Sequence, residues 1–274
     1  MKRILVIEHA HHPNTAIIDF ACRLADARKA RFCGILMESM FAGPVQPEPA
    51  AAPSDPWVAA GTADVRMDPE RAVQFFLEEC ERHGQEAEAE FYQGAPIPHV
   101  IRESSFADLI LLDPATSFGD PDEQAPSHFT RSLLREAHCP VLLAPTQFEG
   151  VNETVFCYDG SASSIMAARL YTYLLPNLAR EKATVLEVGK PGRATGKTEH
   201  RSLLKWMHCH YSDVTFESLE GTPDEELFRR LQMKRNKMVV MGAFGRSLLS
   251  TWARPSTAEK LIHNVDLPFF IAHV

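Results

Sequence analysis

The fold is indicated most directly by residues 238–246, which read Met238-Val239-Val240-Met241-Gly242-Ala243-Phe244-Gly245-Arg246. Four consecutive apolar residues without polar alternation are typical of a strand that is buried on both faces of a parallel sheet. A Gly-x-x-Gly turn follows, and a helix is predicted to begin near Ser256, because Ser256 and Glu259 have the spacing of a capping box. A strand, a turn and a helix in this order predict an α/β fold.

The same order of apolar strands and amphipathic helices occurs twice along the chain. The corresponding strands are residues 4–7 and 155–158, residues 109–112 and 238–241, and the Pro-led residues 140–144 and 268–272. Because these pairs are separated by about half the chain, we interpret the sequence as a tandem duplication of an α/β unit. The predicted domains are residues 1–148 and 149–274, with the boundary near residues 147–152.

The charge of the chain differs between its halves. Of its 274 residues, 45% are apolar and 23% are charged, which is the composition of a folded globular protein. Residues 1–150 contain 12 Lys or Arg and 23 Asp or Glu, net −11, whereas residues 151–274 contain 16 and 13, net +3. An acidic total argues against nucleic-acid binding, and an anionic ligand is expected in the second half.

Export and membrane insertion are not expected. No stretch reaches the roughly 18–20 apolar residues that cross a bilayer, and the first apolar run ends at Glu8, too early for a signal peptide. The six cysteines form no C-x-x-C pair, which favours reduced core thiols over a zinc ribbon or a disulfide framework. We therefore expect a cytoplasmic protein.

On these features the sequence resembles the universal stress protein family, in its tandem two-domain form. The nucleotide-binding pattern of the family is Gly-x-x-Gly, nine residues, and then Gly-Ser or Gly-Thr. Gly242 and Gly245 match the first two glycines, and Ser256 follows at the matching distance. Residues 158–161, Tyr-Asp-Gly-Ser, resemble the Asp-Gly-Ser turn that lies beside adenosine in the family. The resemblance covers essentially the whole chain and is strongest over residues 153–161 and 221–274.

The resemblance implies a binding or signalling module that takes ATP or another adenine nucleotide, with Mg²⁺, in its second half and has no catalytic residues. The implied nucleotide-binding residues are Cys157, Tyr158, Asp159 and Val188 around the adenosine, and Gly242, Gly245, Arg246, Ser256 and Thr257 around the phosphates. It also implies two mostly parallel, five-stranded, Rossmann-like domains. Their last strands, residues 141–144 and 269–272, would pair across a pseudo-twofold axis, in a monomer or a homodimer.

Several residues depart from the family pattern. Pro255 replaces the motif glycine and has no amide hydrogen to offer a phosphate, although proline can begin a helix. In the first half, Glu8-His9-Ala10 stands in place of Asp-Gly-Ser, and residues 113–116, Asp-Pro-Ala-Thr, replace the glycine turn. Because Asp113 would repel a phosphate, we expect the first half to be a degenerate copy that binds no nucleotide and has a structural or partner-binding role.

Other interpretations remain open. Residues 191–198, Pro-Gly-Arg-Ala-Thr-Gly-Lys-Thr, approach a P-loop but have Pro191 where the first glycine belongs, so a nucleotide hydrolase is an alternative to a flexible basic loop. A third function is action through protein contacts without nucleotide. Two histidine groups, residues 9–12 and 208–210, could bind a transition metal, although surface or partly buried histidines are favoured. Residues 41–69 contain six of the nineteen prolines and are interpreted as a surface loop, with a lid or a partner-binding loop as alternatives.

Overall fold

The computed structural model describes residues 3–25, 30–39, 67–120, 122–178, 182–189, 197–232, 234–242 and 257–272. In the first half the elements are β1 (Arg3–His9), α1 (Thr15–Ala25), β2 (Arg31–Ser39), α2 (Pro69–Arg82), β3 (Ala87–Gly94), α3 (Pro96–Ser104), β4 (Leu109–Leu112), α4 (His128–Glu136) and β5 (Val141–Leu143). In the second half they are β6 (Glu153–Tyr158), α5 (Ala162–Leu174), β7 (Lys182–Gly189), α6 (Lys197–Met207), β8 (Asp213–Glu220), α7 (Pro223–Leu231), β9 (Lys237–Gly242), α8 (Thr257–Asn264) and β10 (Phe269–Ala272).

The strands form one ten-stranded sheet in the order β3-β2-β1-β4-β5-β10-β9-β6-β7-β8. Within each half the five strands are parallel and follow the same order, which confirms the predicted fold class of two tandem α/β units. The halves meet where β5 and β10 pair antiparallel, with Phe270 opposite Leu142. The predicted pairing of the last strands is therefore confirmed, and it leaves neither strand as an open edge.

Helices cover both faces of the sheet, because strand side chains alternate between two buried clusters. Ile4 and Val6 of β1 pack on the same side as α1, α2, α5 and α6, whereas Leu5 and Ile7 pack on the side of α3, α4, α7 and α8. All four side chains have no exposed surface. A strand that is buried on both faces contributes about 1.5–3 kcal/mol for each large side chain, which explains the uninterrupted apolar runs.

The cysteines are all free thiols, as expected, and four of the six are buried. Cys209 departs from the expected core position, since it is exposed in the turn after α6. Among the helices of the described ranges, none combines the length and the hydropathy that crossing a bilayer requires. Most of the proline-rich segment, residues 40–66, lies outside the described residues.

Candidate functional site

The candidate site of the second half lies at the carboxyl ends of β6, β7 and β9. Cys157 pairs with Met241 of β9, and Tyr158 pairs with Glu187 of β7, so the three strands end side by side. This register places Gly242 just beyond the first pair, and Asp159 and Val188 just beyond the second. The five candidate residues at these positions, Cys157, Tyr158, Asp159, Val188 and Gly242, therefore share the edge at which open α/β sheets bind ligands.

Asp159 begins a tight turn that leads into α5. Its Oδ1 accepts a hydrogen bond from the Ser161 amide at 2.9 Å, and the Ser161 hydroxyl oxygen accepts from the Ser164 amide at 3.1 Å, which caps the helix. Gly160 between them has a φ of 80°, a conformation that glycine adopts without strain. The Asp159 side chain is exposed at the sheet edge and is accessible to a ligand.

Below this turn lies a buried polar pair that the sequence analysis did not identify. The Glu187 carboxylate, 4% exposed, contacts His200 Nε2 of α6 at 3.1 Å. The ring of His200 packs edge-on against the buried ring of Tyr158, with 5.9 Å between centroids. A signal was present in the sequence, since Glu187 is a charged residue within the mostly apolar run from Ala183 to Val188.

The Cys157 thiol is not an activated nucleophile. Burial, and then the nearby charge of Asp159, raise its pKa to about 12. A thiol in this environment stays protonated at neutral pH, whereas catalytic cysteines have a lowered pKa. Cys157 is therefore suited to lining a pocket.

Gly242 has a packing role in the described residues. A Cβ atom at this position would lie 2.5 Å from the Ser164 amide nitrogen and 2.6 Å from the Ser163 carbonyl carbon. The end of β9 thus approaches the backbone of the first turn of α5 more closely than any side chain permits. This close approach accounts for the glycine independently of a phosphate.

Thr257 forms a hydrogen bond with an acidic residue of α7. Its hydroxyl donates to Asp224 Oδ1, and the Lys260 ammonium pairs with the other carboxylate oxygen. Burial acts to raise the pKa of Asp224, but Lys260 and Thr257 more than offset this and hold it below its usual value. An anion at the start of α8 would therefore compete with Asp224. Three candidate phosphate-facing residues, Gly245, Arg246 and Ser256, and the departing Pro255 lie outside the described residues.

At the equivalent edge of the first half, the carboxyl end of β1 holds a buried acid. Glu8 is 2% exposed, and its Oε2 accepts a hydrogen bond from the Asn14 amide at 3.0 Å. Its Oε1 has no hydrogen-bond partner within the described part of the chain. Burial, with a smaller contribution from the nearby Asp113, raises the pKa of Glu8 to about 8. Burial also raises the pKa of Asp113 itself.

The histidines at the end of β1 and directly after it pack against neighbouring side chains and backbone. The His9 ring stacks on Phe118, with 5.6 Å between centroids and 11° between planes. His11 contacts the Met67 carbonyl oxygen at 2.9 Å and Glu38 at 3.1 Å. His210, from the other predicted group, lies between aromatic rings near the end of α6. Within the described ranges, no group of three or more His, Cys, Asp or Glu side chains is placed to hold a metal ion.

An acidic side chain occupies the N-terminus of α4. Glu123 Oε1 accepts from the His128 amide at 2.6 Å and from Arg131 at 2.8 Å. Its Oε2 accepts from the Ser117 hydroxyl at 3.2 Å. Helix N-termini favour negative charge, and here the charge comes from the chain itself.

We expect Glu123→Ala to destabilise the protein by about 1–2 kcal/mol, because it removes a charge-assisted contact with α4 and the carboxylate that pairs with Arg131. Urea unfolding measures the change, and Asp122→Ala in the same loop serves as the control. Equal stability of the two variants would show that the Glu123 contact contributes nothing to folding.

Residues 173–273 match the sequence model of the Universal stress protein family. No curated protein matches the chain. The fold is similar over nearly its whole length to a universal stress protein from Archaeoglobus fulgidus, with 15% identity, a TM-score of 0.65 and coverage of 98% of each chain. It is also similar to a putative universal stress protein from Pseudomonas aeruginosa, with 16% identity, a TM-score of 0.65 and coverage of 100% of this chain and 93% of that one.

A third similar structure is shorter. A universal stress protein family protein from Arabidopsis thaliana, with AMP bound, is 14% identical and covers 52% of this chain and 89% of its own, with a TM-score of 0.34. The family match over residues 173–273 and the two full-length folds confirm the resemblance to universal stress proteins that the sequence indicated.

Proposed function

We propose that this chain, whose residues 173–273 match the universal stress protein family, binds ATP or a related adenine nucleotide in its second half. The observation that carries the proposal is the position of the exposed Asp159 turn beside the end of β9, at the ligand-binding edge of the sheet. We take residues 149–274 as the nucleotide-binding domain and residues 1–148 as a degenerate copy.

The arrangement supports adenosine at the ends of β6 and β7. A carboxylate at Asp159 can accept hydrogen bonds from ribose hydroxyls, and half-buried Cys157 and Val188 offer apolar contacts to a flat base. The phosphates would then extend toward the start of α8, where the helix dipole favours negative charge. Gly245, Arg246, Ser256 and Thr257 remain the candidate phosphate contacts.

The proposal includes Mg²⁺ because carboxylates lie near Thr257, where the phosphates would bind. Asp224 and Glu259 both lie close to the first turn of α8, and Lys260 is the basic partner of Asp224 in the described residues. A divalent cation that travels with the phosphates reduces the repulsion from these carboxylates. We therefore expect the magnesium complex to bind more tightly than the free nucleotide.

In the first half, three features oppose nucleotide binding. The His9 and Phe118 rings stack on each other at the end of β1, Asp113 lies at the end of β4, and Glu123 already occupies the α4 N-terminus. A phosphate would have to displace Glu123 from the His128 amide and from Arg131. This supports a structural or partner-binding role for residues 1–148.

We further propose that the protein is a cytoplasmic stress-response module that acts through ligand-dependent contacts, without dedicated catalysis. The protonated Cys157 offers no nucleophile at the proposed site. Two alternatives remain: a module that works through protein contacts without nucleotide, and a hydrolase that uses residues 191–198. Residues 190–196 lie outside the described residues, as do the side chains of residues 197–199.

Calorimetric titration with ATP and Mg²⁺ tests the proposal. We expect saturable binding of one nucleotide per chain and about tenfold weaker binding by Asp159→Asn, a substitution that keeps the turn acceptor but removes the charge. Asp213→Asn, at the start of β8 and hence at the opposite sheet edge, is the matched control and should bind normally.

Three results would contradict parts of the proposal. Wild-type protein that takes up no nucleotide would favour a module acting only through protein contacts. Two nucleotides per chain would show that the first half is a working site. Steady phosphate release that disappears in Lys197→Ala would identify the hydrolase alternative.

A further inference from the structure

A cavity of about 450 Å³ lies between the first turns of α3 and α4 in the first half. Pro96 and Ile97 begin α3, and His128 and Phe129 begin α4. The loop that leads from β4 to α4 supplies the other lining residues, which fall within residues 117–123. The cavity has the size of those that hold small organic ligands. The proposed nucleotide site is in the other half, so this cavity has no part in it.

Part of the cavity wall is apolar and is held in place by ring packing. The ring of Phe118 stacks on His9, and its centroid lies 4.8 Å from that of Phe129, with the two phenyl rings nearly perpendicular. Phe129 is buried in the core on the side of α3 and α4, and both Ile97 and Phe118 pack against that core. Because this wall is anchored in the core, it offers a fixed surface to a ligand with an aromatic or hydrocarbon body.

The polar part of the wall is acidic. Of the described residues that line the cavity, Asp120 and Glu123 carry carboxylates and none is Lys or Arg. Glu123 pairs with Arg131 at 2.8 Å, whereas no Lys or Arg of the described ranges forms an ion pair with Asp120. The Asp120 side chain is exposed, and its Oδ1 accepts a hydrogen bond from the Asp122 amide at 2.9 Å. Asp120 is therefore a carboxylate whose charge is available to a ligand.

The charge of the surrounding loop has the same sign. Residues 113–131 contain four Asp or Glu and one Arg, net −3, within a half whose net charge is −11. A negative potential at a cavity raises the local concentration of cations and lowers that of anions. The charge that opposes a phosphate in the first half therefore favours a ligand that is positively charged.

We propose that the cavity between α3 and α4 binds an organic ammonium ion that has an aromatic or hydrocarbon body. The body lies against Ile97, Phe118 and Phe129, and the ammonium group faces Asp120, while Glu123 adds to the negative potential. An ammonium group is attracted both to carboxylates and to aromatic rings, so the apolar and the acidic parts of the wall act on the same ligand. In this proposal the first half binds a ligand of its own, opposite in charge to a nucleotide.

A matched set of small molecules tests the two parts of the proposed ligand. Phenethylammonium has both the ring and the positive charge, 2-phenylethanol lacks the charge, ethylammonium lacks the ring, and 3-phenylpropionate carries the opposite charge. Titration of the full chain, followed by the amide signals in proton–nitrogen NMR spectra, measures the affinity and locates the site. We expect phenethylammonium to bind saturably with a Kd of about 1 mM or lower, with the largest shifts at residues 117–120 and 129. Each of the other molecules should bind at least about tenfold more weakly.

Asp120→Asn tests the carboxylate. It should weaken the binding of phenethylammonium about tenfold, because asparagine can still accept the Asp122 amide hydrogen bond and only the charge is lost. Asp122→Asn is the matched control, since it makes the same change in net charge at an exposed residue that does not line the cavity. This control should bind phenethylammonium within about twofold of the wild type, because an exposed charge outside the site is screened by salt. Thermal unfolding checks that both variants are folded.

Several outcomes would overturn the proposal. These are no saturable binding of phenethylammonium up to about 10 mM, binding of 3-phenylpropionate that is equally tight, and an Asp120→Asn variant that binds as well as Asp122→Asn. Saturable shifts confined to residues far from 117–120 and 129 would also contradict it, because the ammonium ion would then bind elsewhere. None of these titrations includes nucleotide, so their result is independent of the site proposed in the second half.

Discussion

Gly242→Ala is expected to destabilise the second half by about 3 kcal/mol or more, because overpacking against backbone atoms cannot be relieved by a side-chain rotation. The added Cβ would meet the Ser164 amide nitrogen at 2.5 Å and the Ser163 carbonyl carbon at 2.6 Å. To accept it, β9 and the first turn of α5 must move apart. That movement would disturb the packing of Val240 and Ala167, which are buried in the core on this side of the sheet.

The chain offers a matched control for this substitution. Gly119 has no atom within 4 Å of an added Cβ, so Gly119→Ala should leave stability nearly unchanged. Guanidinium unfolding of the two variants measures the difference directly. If Gly242→Ala is as stable as Gly119→Ala, then the end of β9 and the start of α5 are further apart than the structure shows.

The Gly242 contact also changes how nucleotide-binding experiments should be designed. A substitution at Gly242 that abolishes binding could act in two ways. It could remove a phosphate contact, or it could displace α5 and with it the Asp159 turn. Asp159→Asn avoids this ambiguity, since asparagine can still accept the Ser161 amide hydrogen bond.

The strands and their duplication could be predicted because β4 and β9 are buried on both faces, which leaves uninterrupted apolar runs in the sequence. The pairing of β5 with β10 also followed, from the family resemblance. The role of Gly242 did not, because a glycine required for close packing and a glycine required for a phosphate look the same in a sequence. The contact between Glu123 and α4 was missed for a related reason: its partners, Ser117, His128 and Arg131, follow no recognised spacing.

Buried acids were the other feature that could not be predicted in full. The sequence shows Glu8 and Glu187 at the ends of apolar strands, but the environment of each depends on residues far along the chain. Glu187 contacts His200 of α6, whereas Glu8 faces the Asn14 amide and the acidic Asp113. The two similar sequence positions therefore differ, since one acid has a basic partner and the other has none among the described residues.

Glu8→Gln is expected to stabilise the protein at mildly alkaline pH. Burial raises the pKa of Glu8 from 4.5 to about 8, so the folded state holds a proton that the unfolded state releases. Stability from this group is fully present below about pH 4.5 and is lost as the pH rises toward 8, at up to about 1.4 kcal/mol per pH unit. Over this interval the free energy of unfolding of the wild type should fall by on the order of 3 kcal/mol, whereas that of Glu8→Gln should not. The fall is smaller than the whole pKa shift would give, because the structure relaxes around the buried charge.

Urea unfolding at a series of pH values between about 5 and 9 measures this effect as a difference between the variant and the wild type. Taking the difference removes the contributions of histidines and other groups that titrate in the same interval. Asp113, whose charge contributes to the raised pKa of Glu8, lies near position 8 in both proteins. Glutamine can still accept the Asn14 amide hydrogen bond, so the variant changes the charge and little else. Glu86→Gln, at an exposed position before β3, should give a curve parallel to the wild type. If the Glu8→Gln curve is also parallel, Glu8 is ionised in the folded protein, and the carboxyl end of β1 is open to water.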